Sequence, residues 1–129
     1  MELLTHRAGA IVTLTLNRPD RLNAVNLSVY RQLCDELRWI NRDPEIRAVV
    51  LTGTGRAFCV GADLKAHDEG ELSLDQKRTY VRTAQRAHWR MQSCGKPIVA
   101  AVNGHAIGAG LELALSADFV VVADEAKLR

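Results

Sequence analysis

The 129-residue sequence has no long apolar run, no strong excess of either charge and no set of paired cysteines. Its hydrophobic stretches are too short to cross a bilayer, which takes about 20 consecutive apolar residues. A net charge of +2 is too small to indicate a nucleic-acid-binding protein, although it is compatible with a small anionic ligand. Three cysteines at unrelated spacings, Cys34, Cys59 and Cys94, do not suggest a disulfide framework and favour a reducing, cytoplasmic setting.

Signals for targeting and for metal binding are missing as well. A strand-like pattern begins almost at Met1, so we expect neither a secretory signal nor a transit peptide. The four histidines are scattered without helical pair spacing and no CxxC accompanies them, so no metal site is predicted. What is present is an ordinary globular composition, with 47% hydrophobic and 25% charged residues, at a length that suits one domain.

Strand-like and helix-like segments alternate along the chain. Strands are predicted at 3–6, 11–16, 48–52, 98–102 and 119–123, and helices at 27–41, 74–93 and 108–116. Asn26 is placed to cap the first helix, and Ser73 and Gln76 have the spacing of a capping box at the second. This order predicts α/β layers with parallel strand pairing and right-handed crossovers.

Two glycine-bearing turns follow predicted buried strands, at the sheet edge where α/β proteins usually bind ligands. The first contains Gly61, Ala62 and Asp63, and the second leads from Gly104 to Gly110 into a helix. Glycine lets the backbone approach a ligand closely, and the first amides of a helix have no internal partner. Two such amides converging on one oxygen would form an oxyanion hole.

Glu112 is the only acidic residue between Lys96 and Ala117, and its neighbours in the sequence are apolar. Apolar surroundings destabilise the charged form of a carboxylate and suit it to acid–base chemistry, whereas the positive start of a helix acts in the opposite direction. The pattern alone is equally compatible with a poorly solvated catalytic glutamate and with an ordinary solvated helix residue.

Three segments, in this order and spacing, resemble signatures of the crotonase superfamily, the enoyl-CoA hydratase/isomerase enzymes. They are 17–24 (NRPDRLNA), 49–65 (VVLTGTGRAFCVGADLK) and 96–114 (KPIVAAVNGHAIGAGLELA). The resemblance covers essentially the whole chain but only about half of the family's usual domain. It implies a crotonase-like ββα spiral of the α/β class that is incomplete. Residues 1–129 would be a single domain truncated before the carboxyl-terminal helical region.

Members of that family hold the carbonyl oxygen of a CoA thioester in an oxyanion hole and react through an enolate. The resemblance assigns the two donors to the backbone amides of Ala62 and Ala109, and the catalytic carboxylate to Glu112. Position 109 is the middle of the family's glycine triplet, and a backbone donor survives alanine there if the local angles allow it. No cofactor is implied, because the substrate carries the CoA.

The resemblance also implies a set of CoA-binding residues. Arg21 would be a phosphate partner, and the alternative for Arg21 and Lys65 is a solvated surface cation. The residues matched to the segments along the CoA moiety are Arg21, Leu22, Ala24, Asp63, Leu64 and Lys65.

The activity implied is that of an enoyl-CoA hydratase of fatty acid metabolism, a lyase that adds water to a 2-enoyl-CoA in the syn sense. The family's second glutamate is expected just beyond Arg129, so isomerisation, other enolate chemistry and an inactive fragment remain alternatives. The resemblance implies a homotrimer or a dimer of trimers if the full-length domain is present, and no membrane partner.

A basic helix face suggests a different class of function. Four arginines recur every four residues between positions 78 and 90, and Trp89 lies on the same side. Such a stripe could bind RNA phosphates, with Trp89 stacking on a base. A charged helix face is more often simply solvated, so nucleic acid is the weaker hypothesis. His88, beside this face, is predicted to be a packed core residue, and Cys59 a small buried residue instead of a nucleophile.

Overall fold

The computed structural model describes residues 1–63 and 72–129. In these residues the strands are β1 (Leu3–Ala8), β2 (Ile11–Leu16), β3 (Ala48–Gly53), β4 (Ala57–Cys59), β5 (Ile98–Val102), β6 (His105–Ala106) and β7 (Phe119–Val122). β1 and β2 form an antiparallel hairpin, and β3, β5 and β7 add to it in parallel to give the order β1-β2-β3-β5-β7. The predicted α/β class with parallel pairing is confirmed.

The described residues form three α-helices, α1 (Leu27–Arg42), α2 (Leu74–Gln92) and α3 (Ala109–Leu115), besides a short 3-10 helix at Pro19–Arg21. Both predicted caps are confirmed. The Asn26 side chain accepts the Val29 N–H at 2.9 Å, and Ser73 and Gln76 form a reciprocal capping box. Each cap supplies an acceptor to an amide that the first turn of a helix leaves unpaired, which explains why α1 and α2 begin where the sequence predicted.

The core lies between the sheet and the helices that cross it. β2 buries alternate residues, because successive side chains of a strand point to opposite faces. α1 contributes one apolar stripe to the same core, in which Tyr30 and Leu33 are almost fully buried. In the part of the chain that the structure describes, no helix combines the length and apolar character needed to span a membrane.

β4 and β6 form a second, two-stranded parallel sheet that the sequence did not predict. All three residues of β4 are buried, and β6 has only two residues. Strands this short contain no full repeat of the alternating pattern by which a strand is recognised. This small sheet matters because it fixes the two glycine-bearing turns next to each other.

Candidate active site

The two predicted turns lie side by side at the end of the β4–β6 sheet. Cys59 pairs with Ala106, and the Ile107 N–H donates to the Cys59 carbonyl oxygen at 3.0 Å. On the other side, a Cβ added at Gly61 would lie 3.3 Å from the Ile107 carbonyl oxygen. The segments that carry Ala62 and Ala109 are therefore in direct backbone contact, as the oxyanion-hole hypothesis requires.

Gly110 sets the distance between α3 and β4. A Cβ at this position would overlap the carbonyl group of Cys59, so only glycine lets the first turn of the helix pack against that backbone. Gly108, which precedes the helix, has φ +57° and ψ −121°, a conformation that residues with a side chain rarely adopt. The two glycines thus have different roles. Gly110 lets α3 pack closely against β4, and Gly108 adopts the backbone conformation that leads the chain into the helix.

Ala62 and Ala109 each present a backbone N–H that has no acceptor among residues 1–63 and 72–129. Ala109 is the first residue of α3, where a helix has no internal partner for its amides. Ala62 lies between two residues whose backbone atoms bond to Val25, since the Val25 N–H donates to Gly61 at 2.8 Å and the Asp63 N–H donates to Val25 at 3.0 Å. Two donors are thus available on adjoining turns, and their convergence on one oxygen stays a prediction.

Glu112 is exposed to solvent on α3, so of the two alternatives that the sequence left open, the described residues show the solvated helix position and not the poorly solvated carboxylate. The physical reason is helical geometry. Neighbours in sequence are about 100° apart around a helix, so Leu113 and Ala114 face the core while Glu112 and Leu115 face outward. The apolar residues next to Glu112 in the sequence therefore do not surround its carboxylate in the folded structure. No ion pair of Glu112 occurs within the described ranges.

The residues matched to CoA binding have different environments. Arg21 is exposed at the end of a short 3-10 helix (Pro19–Arg21), as the assignment to a phosphate partner or a solvated cation requires. Leu22 is half-buried with φ +50°, and Ala24 is buried. Leu64 and Lys65 lie outside the described residues. The CoA-binding roles of these residues stay predictions.

Asp63 is buried and forms an ion pair. Its carboxylate lies 2.7 Å from the guanidinium of Arg18, and the two side chains are only 5% and 15% exposed. Arg18 also contacts Glu2 at 2.7 Å and donates to the Ala24 carbonyl oxygen. The side chain of Asp63 thus holds the turn after β4 against the segment 18–24, and a contact between Asp63 and CoA stays a prediction.

Arg18 and Asn23 are site-supporting residues that the sequence analysis did not identify. The buried Asn23 side chain accepts the Arg18 N–H at 2.8 Å and donates to the carbonyl oxygens of Thr54 and Ala57, each at 2.9 Å. Asn23 has φ +58°, a conformation that asparagine adopts more readily than most residues. An asparagine that follows a proline-containing turn could have indicated a structural role for Asn23. Its carbonyl partners, Thr54 and Ala57, could not be predicted because they are about 30 residues away in the sequence.

Several titratable groups are buried close to this region. Cys59 is fully buried, as predicted, and burial raises the pKa of its thiol to about 11. That Cys59 is not a nucleophile stays a prediction. Burial also raises the pKa of Tyr80, whose hydroxyl donates to the Val25 carbonyl oxygen at 3.1 Å. His88 is half-buried and bonded to Ser116, as predicted for a packed histidine, and burial lowers its pKa.

A cleft of about 520 Å³ lies between the amino-terminal ends of α1 and α2. Its lining includes Leu27, Leu72 and Tyr80, and the Tyr80 hydroxyl connects it to Val25, which pairs with the turn containing Ala62. The volume lies in the range of small-molecule sites, roughly 300–1,000 Å³.

The basic face of α2 is exposed at Arg82 and Arg86, and Trp89 is 62% exposed. The RNA-binding hypothesis for this face stays a prediction. Within the described ranges, no group of three or more histidine, cysteine or acidic side chains is arranged to hold a metal ion.

Preorganised backbone N–H groups are one kind of donor that forms an oxyanion hole, and the two adjoining turns each offer one. The sequence model of the enoyl-CoA hydratase/isomerase family matches residues 6–129. The chain belongs to the enoyl-CoA hydratase/isomerase family.

Individual relatives agree with this assignment. The chain is 40% identical over 131 residues to the 1,2-epoxyphenylacetyl-CoA isomerase of Escherichia coli (strain K12), covering 97% of this chain and 48% of that protein. It is 41% identical over 126 residues to the 2,3-dehydroadipyl-CoA hydratase of the same strain, with 98% and 48% covered.

Solved structures confirm the predicted crotonase-like fold. The crystal structure of an enoyl-CoA hydratase from Bacillus anthracis superposes with a TM-score of 0.93 at 33% identity, covering 99% of this chain and 50% of that one. The chain spans about half the length of the curated relatives it matches.

Proposed function

We propose that this protein binds an acyl-CoA thioester and catalyses enoyl-CoA hydration, with the thioester oxygen held by the N–H groups of Ala62 and Ala109. The observation that supports it most is the pair of unpaired backbone donors on adjoining turns, one of them at the positive end of α3. Two relatives named for reactions of CoA thioesters, a hydratase and an isomerase, add support.

The two donors would act on the charge that develops during the reaction. When the oxygen of water adds to C3 of a 2-enoyl-CoA, one proton of the water passes to a carboxylate and the electron pair of the double bond moves towards the thioester oxygen. The enolate then takes up one proton at C2, so that one molecule of water is added in all. Preorganised N–H groups stabilise the thioester oxygen more strongly as its negative charge grows. Each such donor typically contributes about 3–4 kcal/mol to the transition state.

Glu112 would hold and activate the water. It lies three residues after Ala109, within the first turn of α3, and helical side chains lean towards the amino-terminal end, where the Ala109 N–H is free. Its exposure leaves its oxygens accessible to water and substrate. Isomerisation, which moves a proton with one carboxylate, is the alternative activity, and one of the relatives above is named as an isomerase.

The cleft between α1 and α2 would take the acyl or pantetheine part, and the exposed Arg21 would meet a phosphate of CoA. Residues 1–129 would form part of a single crotonase-like domain that needs no cofactor besides the CoA of its substrate.

The setting and assembly belong to the same proposal. The three free cysteines suit a reducing compartment and support a cytoplasmic setting. A part in fatty acid metabolism and a homotrimer or dimer of trimers are proposed with the family assignment. The apolar strand β7, where Phe119 and Val121 are 63% and 64% exposed, is a surface that a contact with further polypeptide would cover.

The test is Ala109→Pro, which replaces the donor N–H with the Cδ methylene of the proline ring, so that position 109 can no longer donate to the thioester oxygen. Proline is well tolerated at the first position of a helix, because the N–H it lacks has no helical partner there. We expect turnover of an enoyl-CoA to fall about 10²–10³-fold, as for other oxyanion-hole deletions. The measurement is the steady-state loss of enoyl absorbance.

Leu74→Pro is the matched control, because Leu74 is the first residue of α2 and is exposed. It should leave turnover unchanged. Wild-type turnover in a correctly folded Ala109→Pro protein would remove the Ala109 amide from the mechanism.

A further inference from the structure

α3 carries both the proposed donor at Ala109 and the proposed carboxylate at Glu112, yet it has only seven residues. Helices this short are not stable by themselves, so their orientation depends on contacts with the rest of the protein. The amino-terminal end of α3 is held by the small sheet, through Ile107 and Gly110 against Cys59. The direction in which the Glu112 side chain points also depends on how the carboxyl-terminal end of α3 is held.

A chain of two side-chain hydrogen bonds holds that other end. Ser116 follows α3 and is 7% exposed, and its hydroxyl donates to the Glu112 carbonyl oxygen at 2.8 Å. The same hydroxyl oxygen lies 2.8 Å from Nδ1 of His88 on α2. The backbone carbonyl oxygen of Glu112 can only accept, so we assign the single hydroxyl proton of Ser116 to that bond. The same assignment makes Nδ1–H of His88 the donor to the Ser116 hydroxyl oxygen.

We propose that His88 is a positioning residue for Glu112, acting through Ser116 to fix the last turn of α3. This inference rests on the proposed function. His88 belongs to α2, which also contributes Tyr80 to the cleft, so the contact would align the carboxylate with the acyl-binding side of the site. Without the contact, the last turn of α3 would fray while the Ala109 end stays anchored to Cys59.

The surroundings of His88 favour a neutral ring at neutral pH. Burial lowers the pKa of His88, and the Glu112 carboxylate opposes this effect to a smaller extent. The imidazole contacts the ring of Tyr30 on α1, with ring centroids 6.1 Å apart, and the Ser116 hydroxyl that follows α3, and Glu112 is the charged group that acts on its pKa. As the pH falls, His88 therefore takes up a proton in the unfolded chain before it does so in the folded one. The free energy of unfolding should decrease as the pH falls below the ordinary pKa of histidine.

The experiment compares three variants. Asparagine can present an N–H close to the position of Nδ1, whereas leucine cannot, and Ser116→Ala removes the hydroxyl that relays the contact. We expect His88→Leu and Ser116→Ala each to lower kcat about 10- to 100-fold with KM nearly unchanged, the size of effect that a misplaced catalytic group produces. His88→Asn should recover most of kcat, and the double variant should be no worse than either single one.

Gln85→Leu, an exposed position on the same helix, is the matched control and should leave kcat unchanged. A second readout does not need turnover. Amide hydrogen exchange at residues 112–116 should be faster in His88→Leu than in the wild-type protein, and in His88→Asn it should be close to the wild-type rate. Exchange at residues 107–110 should be the same in all three proteins.

The outcomes separate the two proposals. A wild-type protein without turnover of CoA thioesters would count against the proposed function, and the exchange data would still decide whether His88 holds α3. Unchanged exchange at residues 112–116 in His88→Leu would overturn the positioning role. So would an equal loss of kcat in His88→Asn and His88→Leu, because the N–H would then not be what matters.

Discussion

Two carboxylates on neighbouring segments of the site have opposite surroundings. Asp63 is almost completely buried and ion-paired with Arg18, whereas Glu112 is exposed and forms no ion pair within the described residues. The segment around Asp63 also contains Asn23, whose amide bonds to two backbone carbonyl groups. The polar side chains of the first region, Arg18, Asn23 and Asp63, are bonded within that region, whereas the Glu112 carboxylate of α3 is exposed.

This difference separates the residues that stabilise the site from those that remain free to act on a substrate. A buried charge is tolerated only when it is paired, so the Arg18–Asp63 pair fixes the turn that carries Ala62. A group that is to bind a substrate must keep its hydrogen-bonding capacity, as the Ala109 amide and the Glu112 carboxylate do. Substitutions in the two regions should therefore separate loss of stability from loss of turnover.

The largest loss of stability is expected for Arg18→Met. Removing one partner of a buried ion pair typically costs about 3–5 kcal/mol, because the remaining charge loses the attraction that offset its burial. Urea denaturation measures the free energy of unfolding, and the matched control is Arg21→Met, three residues away and exposed. If Arg18→Met were as stable as Arg21→Met, the pair would not hold the turn.

A smaller loss of stability, about 3 kcal/mol, is expected for Gly110→Ala, because the new methyl group would overlap the backbone of Cys59. Turnover should also fall, since α3 must move away from β4. Gly9→Ala is the control for backbone strain alone, because Gly9 has φ +61° and open space around it. That variant should lose about 1 kcal/mol and keep full turnover. Equal turnover in the two variants would contradict a site built on this contact.

The smallest effect on stability, within about 0.5 kcal/mol, is expected for Glu112→Gln, because Glu112 is exposed. Turnover should nevertheless be abolished, and binding of a CoA thioester, measured by calorimetry, should be nearly unchanged. Glu125→Gln, another exposed glutamate, is the control and should retain activity. Activity that survives Glu112→Gln would show that another group handles the proton.

Much of the fold could be predicted because its determinants are local. Asn26 and Ser73 define helix starts within a single turn, and the long strands and helices contain several repeats of their hydrophobic pattern. The family could be predicted from three ordered motifs, of which the last two carry the glycine turns. β4 and β6 could not, because three and two residues are too few to show a pattern.

The environment of each site residue was harder to predict, because it depends on distant partners. The burial of Asp63 follows from Arg18, 45 positions earlier in the sequence. The exposure of Glu112 follows from the direction in which one residue of a short helix points, which the apolar neighbours on both sides conceal. Sequence motifs thus identified the segments of the site, whereas solvation depended on tertiary packing.

The contact between Gly110 and Cys59 has a consequence for how this protein can vary over evolution. Position 109 offers the proposed site only its main chain, so its side chain can change, and alanine is one permitted choice. Position 110 has no such freedom, because any side chain would meet a carbonyl group that cannot rotate away. Substitutions should therefore be accepted more often at position 109 than at position 110. The residue at position 110 is constrained by packing, although it need not contact the substrate.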